Sequence, residues 1–148
     1  MKWNRGLIIL VCCSCQPPLE EIQIDPISKR FILENIINTS DGNQNAIFFM
    51  YADFCGMCTE SVVKYINEFT LQDFETIVVL SDDSEVIRML SIPEKNRRSF
   101  DLLDLEKHGL GFASSHLYLI EDTTIIYSNI VTEETFQIIN QDMKNFSK

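Results

Sequence analysis

The run Ala46-Ile47-Phe48-Phe49-Met50-Tyr51 shows no polar alternation, and shortly after it the chain reads Cys55-Gly56-Met57-Cys58. An uninterrupted apolar run of strand length predicts a central strand covered on both faces. Beyond the cysteines, Val62, Tyr65, Ile66 and Phe69 form one stripe at helical spacing. This predicts an amphipathic helix with the second thiol in its first turn. The chain therefore hands a buried strand over to a helix at two thiols one turn apart. A helix N-terminus carries unpaired N–H groups and partial positive charge, which stabilise a thiolate and make Cys55 the nucleophile. Cys58 then stands within reach to resolve a mixed disulfide. Such a pair also occurs as half a zinc site or as a structural disulfide; the strand before it and the helix after it favour redox chemistry.

The rest of the chain supplies matching elements. Asp25-Pro26 reads as an N-cap followed by a first-turn proline, with Ile27, Phe31, Ile32 and Ile36 at helical spacing up to about Asn38. Thr39 to Asn43 is a turn. Glu75 to Ser81, centred on Ile77-Val78-Val79-Leu80, predicts a second buried strand, and Asp82-Asp83-Ser84 caps a helix carrying Val86, Ile87 and Leu90. Pro93 to Arg98 reads as an exposed connection with Arg97-Arg98 solvated, and Phe100 to Leu105 as a short apolar segment of undecided type. Leu117 to Glu121 and Thr124 to Val131 predict a hairpin turning at Asp122-Thr123. Thr132-Glu133-Glu134 predicts the start of a closing helix with Phe136, Ile139, Met143 and Phe146 on one face. No internal repeat or second domain is visible.

At the N-terminus, Lys2 and Arg5 precede Gly6-Leu7-Ile8-Ile9-Leu10-Val11 and then Cys12, Cys13 and Cys15. The apolar run is far shorter than the ~20 residues that cross a bilayer, so an export signal is the better reading. Here the chain resembles a bacterial lipoprotein precursor, in which a small residue precedes the cysteine that is lipidated. Ser14-Cys15 fits that rule, and Cys13 behind Leu10-Val11-Cys12 remains the alternative. The organisation is then a signal peptide over 1–14, a tether over 15–23 containing Pro17-Pro18, and one domain over 24–148. Loss of the signal leaves 134 residues with 10 basic against 22 acidic side chains, a net charge of −12 in place of −10. Such an acidic surface repels phosphate backbones, so no nucleic-acid partner is expected. Cys55 and Cys58 become the only cysteines of the folded body, which favours a catalytic pair over a staple.

Strand, CxxC-headed helix, strand, helix, hairpin and closing helix follow the order of the thioredoxin fold. Tyr51-Ala52-Asp53-Phe54-Cys55-Gly56-Met57-Cys58 stands where that family has an aromatic-Ala-x-aromatic-Cys-x-x-Cys signature. From Ala46 onward the chain resembles a thioredoxin-like envelope lipoprotein of the TlpA/ResA type. The resemblance implies an α/β fold with a central mixed β-sheet flanked by helices. It also implies Cys55 as attacking thiolate, Cys58 as buried resolving thiol, and a partner peptide held by Phe54, Gly56, Met57, Ser114 and Ser115. A monomer without cofactor or metal is expected, anchored through its lipid in the bacterial envelope and facing the periplasm or outside. Its expected partners are disulfide-containing envelope proteins and a membrane electron donor.

Three positions depart from the family. Ser115 stands at the place of its cis-proline, and a cis serine would cost ~3 kcal/mol, so a trans bond is expected. Phe49 falls where many members have a buried proton-relaying acid, so proton transfer needs water or another group. Met57 replaces the usual proline or histidine between the cysteines, and Asp53 raises a nearby thiol pKa. Together these favour reducing or isomerising disulfides over donating them. Two other functions stay open. Cys55, Cys58 and His116, with Met57, offer soft donors for Cu(I) or Zn(II); otherwise His116 is a strand-edge histidine pointing away. A binding module would use Phe54, Phe112 and Tyr118 as aromatic surface. His108, in Lys107-His108-Gly109, reads as a solvated turn residue. There is no Gly-rich phosphate loop, no Ser-His-Asp order and no HExxH.

Overall fold

The apolar run forms a strand, β1 (Gln44–Met50), at the centre of a five-stranded sheet. The computed structural model describes residues 22–40, 42–50, 56–81, 84–111 and 114–146. Along the chain, α1 (Pro26–Phe31) runs on through a π-helical turn at Ile32–Ile36 and a 3₁₀ turn at Ile37–Thr39 into β1. Then come α2 (Gly56–Glu68), β2 (Glu75–Ser81), α3 (Ser84–Met89), a 3₁₀ turn at Glu94–Asn96 and β3 (Arg97–Phe100). The last elements are α4 (Leu102–Lys107), the hairpin β4 (His116–Glu121) and β5 (Thr124–Ile130), and α5 (Phe136–Met143). The strand order is β3-β2-β1-β4-β5, with β1, β2 and β3 parallel and β4 and β5 antiparallel to their neighbours. This is the mixed α/β sheet that the sequence predicts.

Both faces of β1 are covered, which explains its lack of alternation. Ala46, Phe48 and Met50 join Val78, Leu80, Leu117 and Leu119 beneath α2 and α5. Ile47 and Phe49 join Ile77, Val79, Tyr118 and Ile120 beneath Phe31, Ile32, Ile36 and Leu105. Asp25 caps α1 as expected, accepting from the N–H groups of Ile27 and Ser28 at 3.1 and 3.2 Å. The chain is tied to the sheet as early as Ile22, whose N–H donates to Ile125 O at 2.8 Å.

Four sequence expectations are corrected. Ile27 is exposed, because α1 lays Phe31 and the following turn on the sheet. Arg97 and Arg98 do not form a solvated loop; they open edge strand β3, opposite Val78 and Val79. The Arg97 guanidinium reaches back to Ile92 O, Leu90 O and Ile87 O at 2.7, 2.9 and 3.2 Å, binding carbonyls around the end of α3. The closing helix starts at Phe136 instead of Thr132, because Thr135 Oγ1 takes the Thr132 N–H and donates to Ile130 O, closing a turn first. His108 is half-buried, its ring 4.4 Å from that of Phe31 and its Nδ1 2.7 Å from Asp104 O. Gly109, next to it, has φ +69°, and a Cβ there would lie 2.8 Å from Ser28 Oγ. The undecided Phe100–Leu105 segment ends β3 and begins α4, which Asp101 caps through the Leu103 N–H.

Candidate active site

The strand order makes the C-terminal end of β1 a junction. Parallel β2 lies on one side and antiparallel β4 on the other, so a parallel strand ends and an antiparallel strand begins beside Met50. Crevices of this kind, beyond the carboxyl ends of parallel strands, are where open α/β sheets place their chemistry. Helix α2 starts at Gly56, and Cys58 is its third residue. Position 58 lies in line with Val62, Tyr65, Ile66 and Phe69, the stripe that packs on the sheet, and at the positive end of the helix. The predicted nucleophile Cys55 and the flanking Phe54 lie outside the described residues, as do the side chains of Met57 and Cys58.

Beside the end of β1 lies the start of β4. Ser114 is half-buried and Ser115 buried, and Ser115 O accepts from Val131 N–H at 2.8 Å, tying the start of β4 to the end of β5. Among the described residues no peptide bond is cis, so the Ser114–Ser115 bond is trans. His116 lies directly opposite Phe49 on β1 and opposite Ile130 on β5. Its half-buried ring is tilted 33° over Tyr118 at 5.3 Å, and burial holds the imidazole below its usual pKa. Tyr118 is itself buried, edge-on to Phe49 at 5.8 Å, and so belongs to the core rather than to an aromatic docking surface. Ser61, on α2 one turn past Cys58, donates to the carboxylate of Glu133 in the turn before α5.

No family model matches the sequence, and no curated protein matches it. Solved structures do match. A thioredoxin-like protein from Bacteroides caccae superposes with a TM-score of 0.50 at 12% identity, over 74% of this chain and 42% of that one. A Chlorobium tepidum protein assigned as thiol:disulfide interchange protein DsbE superposes with a TM-score of 0.53 at 14% identity, over 72% and 82% of the two chains. The fold is thioredoxin-like. Along the chain Cys58 falls in the first turn of α2, which follows β1, and Ser114, Ser115 and His116 fall at the start of β4, the strand paired with β1; His116 shares the sheet face of Phe49 and Tyr118, the face away from α2.

Sequence reading missed the Ser61–Glu133 contact. By its position Glu133 reads as a helix-starting acid, and nothing along the chain signals a partner on α2. Among the described residues, no three His, Cys, Asp or Glu side chains are grouped to hold a metal ion, and no helix is long and apolar enough to cross a membrane. His108, the other histidine, packs on Phe31.

Proposed function

We propose that this chain is an extracytoplasmic thiol–disulfide oxidoreductase that reduces or isomerises disulfides of envelope proteins through Cys55 and Cys58. The observation that carries the reading is the placement of Cys58. It lies in the first turn of the thirteen-residue helix α2, which follows the central strand of a thioredoxin-like sheet. The helix dipole there lowers the cost of a thiolate. The Cys55 thiolate attacks a substrate disulfide, one substrate sulfur leaves as thiolate, and a mixed disulfide forms. The Cys58 thiolate then attacks Cys55 sulfur, closing the protein disulfide and releasing the second substrate thiol, so two electrons pass to the substrate. A membrane electron donor restores the dithiol. The N-terminal signal pattern, with lipidation at Cys15, supports anchoring in the bacterial envelope, where disulfide-bearing partners reside.

The test is a redox titration in thiol–disulfide buffers, read by alkylation and intact mass with metal assayed on the same sample. Reversible two-electron behaviour near or below about −270 mV supports a reductant. A dithiol that stays reduced because metal holds it moves the function to a soft-metal site that includes His116. A disulfide that cannot be reduced makes the chain a binding module.

A further inference from the structure

The two edges of the sheet differ. On β5 the outer side is met near its start by the chain's own backbone, where Ile22 N–H donates to Ile125 O. β3 pairs with β2, and no described residue pairs with its other side. An edge strand presents a row of N–H and C=O groups, a template for one more strand. Charge singles out the same edge. Between Arg88 and Phe100 stand four bases, Arg88, Lys95, Arg97 and Arg98, against the single acid Glu94. This stretch carries +3 in a chain of −10, so everything outside it sums to −13. Arg88 and Lys95 are exposed. Arg98 donates to the neutral carbonyls of Lys95 and Arg97, which holds its charge at the strand. Lys95 also reaches Glu75 at 3.7 Å, a surface pair of little worth. Apolar surface borders the charges on both sheet faces. On the α2 side, α3 ends at Met89, which is 43% exposed; on the other side, α4 begins two residues past β3, and its Leu103 is 63% exposed.

A strand laid along β3 therefore meets backbone partners, positive charge and an exposed aliphatic residue to either side. A second copy pairing β3 with β3 would set arginines against arginines, which destabilises a ladder. The acidic pair Glu20-Glu21 of the same chain stands within two residues of Ile22, a reach of about 7 Å. From Ile22 on β5, β3 lies four strand spacings away, about 19 Å. A foreign extended segment with acidic side chains meets neither obstacle. We propose that the outer edge of β3 docks an extended acidic segment of another protein by strand addition. Backbone bonds supply the affinity, and Arg88, Lys95 and Arg98 select the sign of the incoming side chains. Cations on an edge keep it from indiscriminate pairing; here that protection becomes a choice of partner. The surface is independent of the dithiol.

The experiment titrates the full chain, with Cys12, Cys13 and Cys15 replaced by serine, into a fluorescein-labelled peptide alternating glutamate and valine. Polarisation is read at about 10 mM salt, where charges act over about 30 Å. Saturable binding is expected, with new hydrogen-exchange protection at residues 97–100. A peptide with proline at its centre lacks a backbone N–H and should bind at least about tenfold more weakly. Lys95→Glu combined with Arg98→Glu should weaken the acidic peptide at least about tenfold and admit its lysine–valine counterpart. Arg97 is left intact because it holds the end of α3. Circular dichroism and melting temperature establish that the variant is folded, and Lys95→Gln alone serves if it is not. Absence of saturable binding up to about 1 mM peptide overturns the proposal. Equal binding of the glutamate and lysine peptides does so too, as does equal binding of the proline peptide and its parent. Protection appearing at β5 in place of β3 has the same force. Light scattering that finds dimers with residues 97–100 already protected would give this edge to a second copy and overturn it as well.

Discussion

The two faces of the sheet are covered in different ways. On one face lie α2 and α5, whose apolar stripes place Val62, Val63, Tyr65, Ile66, Phe69, Ile139 and Met143 on the strands, with the six-residue α3 adding Val86. On the other lie six-residue helices, α1 and α4, with a π-helical turn between α1 and the sheet's first strand. Helices that short do not hold in water alone. They persist through long-range contacts: Ser28 Oγ donates to His108 O at 2.7 Å, and the Phe31 ring meets His108 at 4.4 Å and Phe100 at 5.1 Å. Regular helices with a long stripe carry the dithiol, and short tertiary-dependent pieces support the face to which His116 and Tyr118 belong. The proposed chemistry is thus mounted on the element with the most local structure of its own.

The largest test of this difference is a pair of core truncations. Phe48, fully buried and edge-on to Phe69 at 4.9 Å, anchors the α2 face. Phe48→Ala is expected to cost about 3–5 kcal/mol and to unfold the whole domain in one transition. Ile32, equally buried on the other face, should cost about 2–5 kcal/mol as alanine and fall toward the low end, because the short helices can settle into the gap. Hydrogen exchange in Ile32→Ala should then show faster opening confined to residues 26–39. Equal global opening in both variants would erase the distinction between the faces.

A smaller effect is expected at the edge. Arg97→Ala removes three charge-assisted bonds to the carbonyls of Ile87, Leu90 and Ile92 and should cost about 2 kcal/mol, read by denaturant unfolding. Arg97→Lys should recover only part of this, since one ammonium cannot reproduce the planar fork.

The smallest effect is a divided pH response. Burial lowers the His116 pKa below 6.5, so the unfolded chain binds that proton before the folded chain does as pH falls. Its contribution is complete above about pH 6.5 and is lost as pH falls below it. Tyr65 and Tyr127, on the α2–α5 side, are pushed up to about 12, first by burial, with Asp142 also raising Tyr127. Their contribution is complete below about pH 10 and is lost as pH rises toward 12. Unfolding midpoints across pH should therefore show an acid limb flattened by His116→Gln alone and an alkaline limb flattened by Tyr65→Phe or Tyr127→Phe alone. One variant flattening both limbs would contradict the assignment to separate faces.

The sequence by itself determined four of the five strands and where the two cysteines fall along the chain relative to them. Unbroken apolar runs at 46–51 and 77–80 are enough to specify buried strands, the stripe from Val62 to Phe69 specifies α2, and Asp122-Thr123 specifies the hairpin, because each signal is local. The tertiary structure alone decided the rest. β3 carries two arginines and no apolar pattern, and it is a strand because β2 offers an open edge while three carbonyls near α3 collect the Arg97 guanidinium. His108 is drawn onto Phe31 by an element some eighty residues earlier in the chain, and Glu133 is turned to Ser61 by the packing of α5 beside α2. The register Phe49–His116 is likewise fixed by pairing across the sheet. Periodicity records which side of an element is buried, whereas partners distant along the chain are chosen by whatever the completed sheet brings within reach.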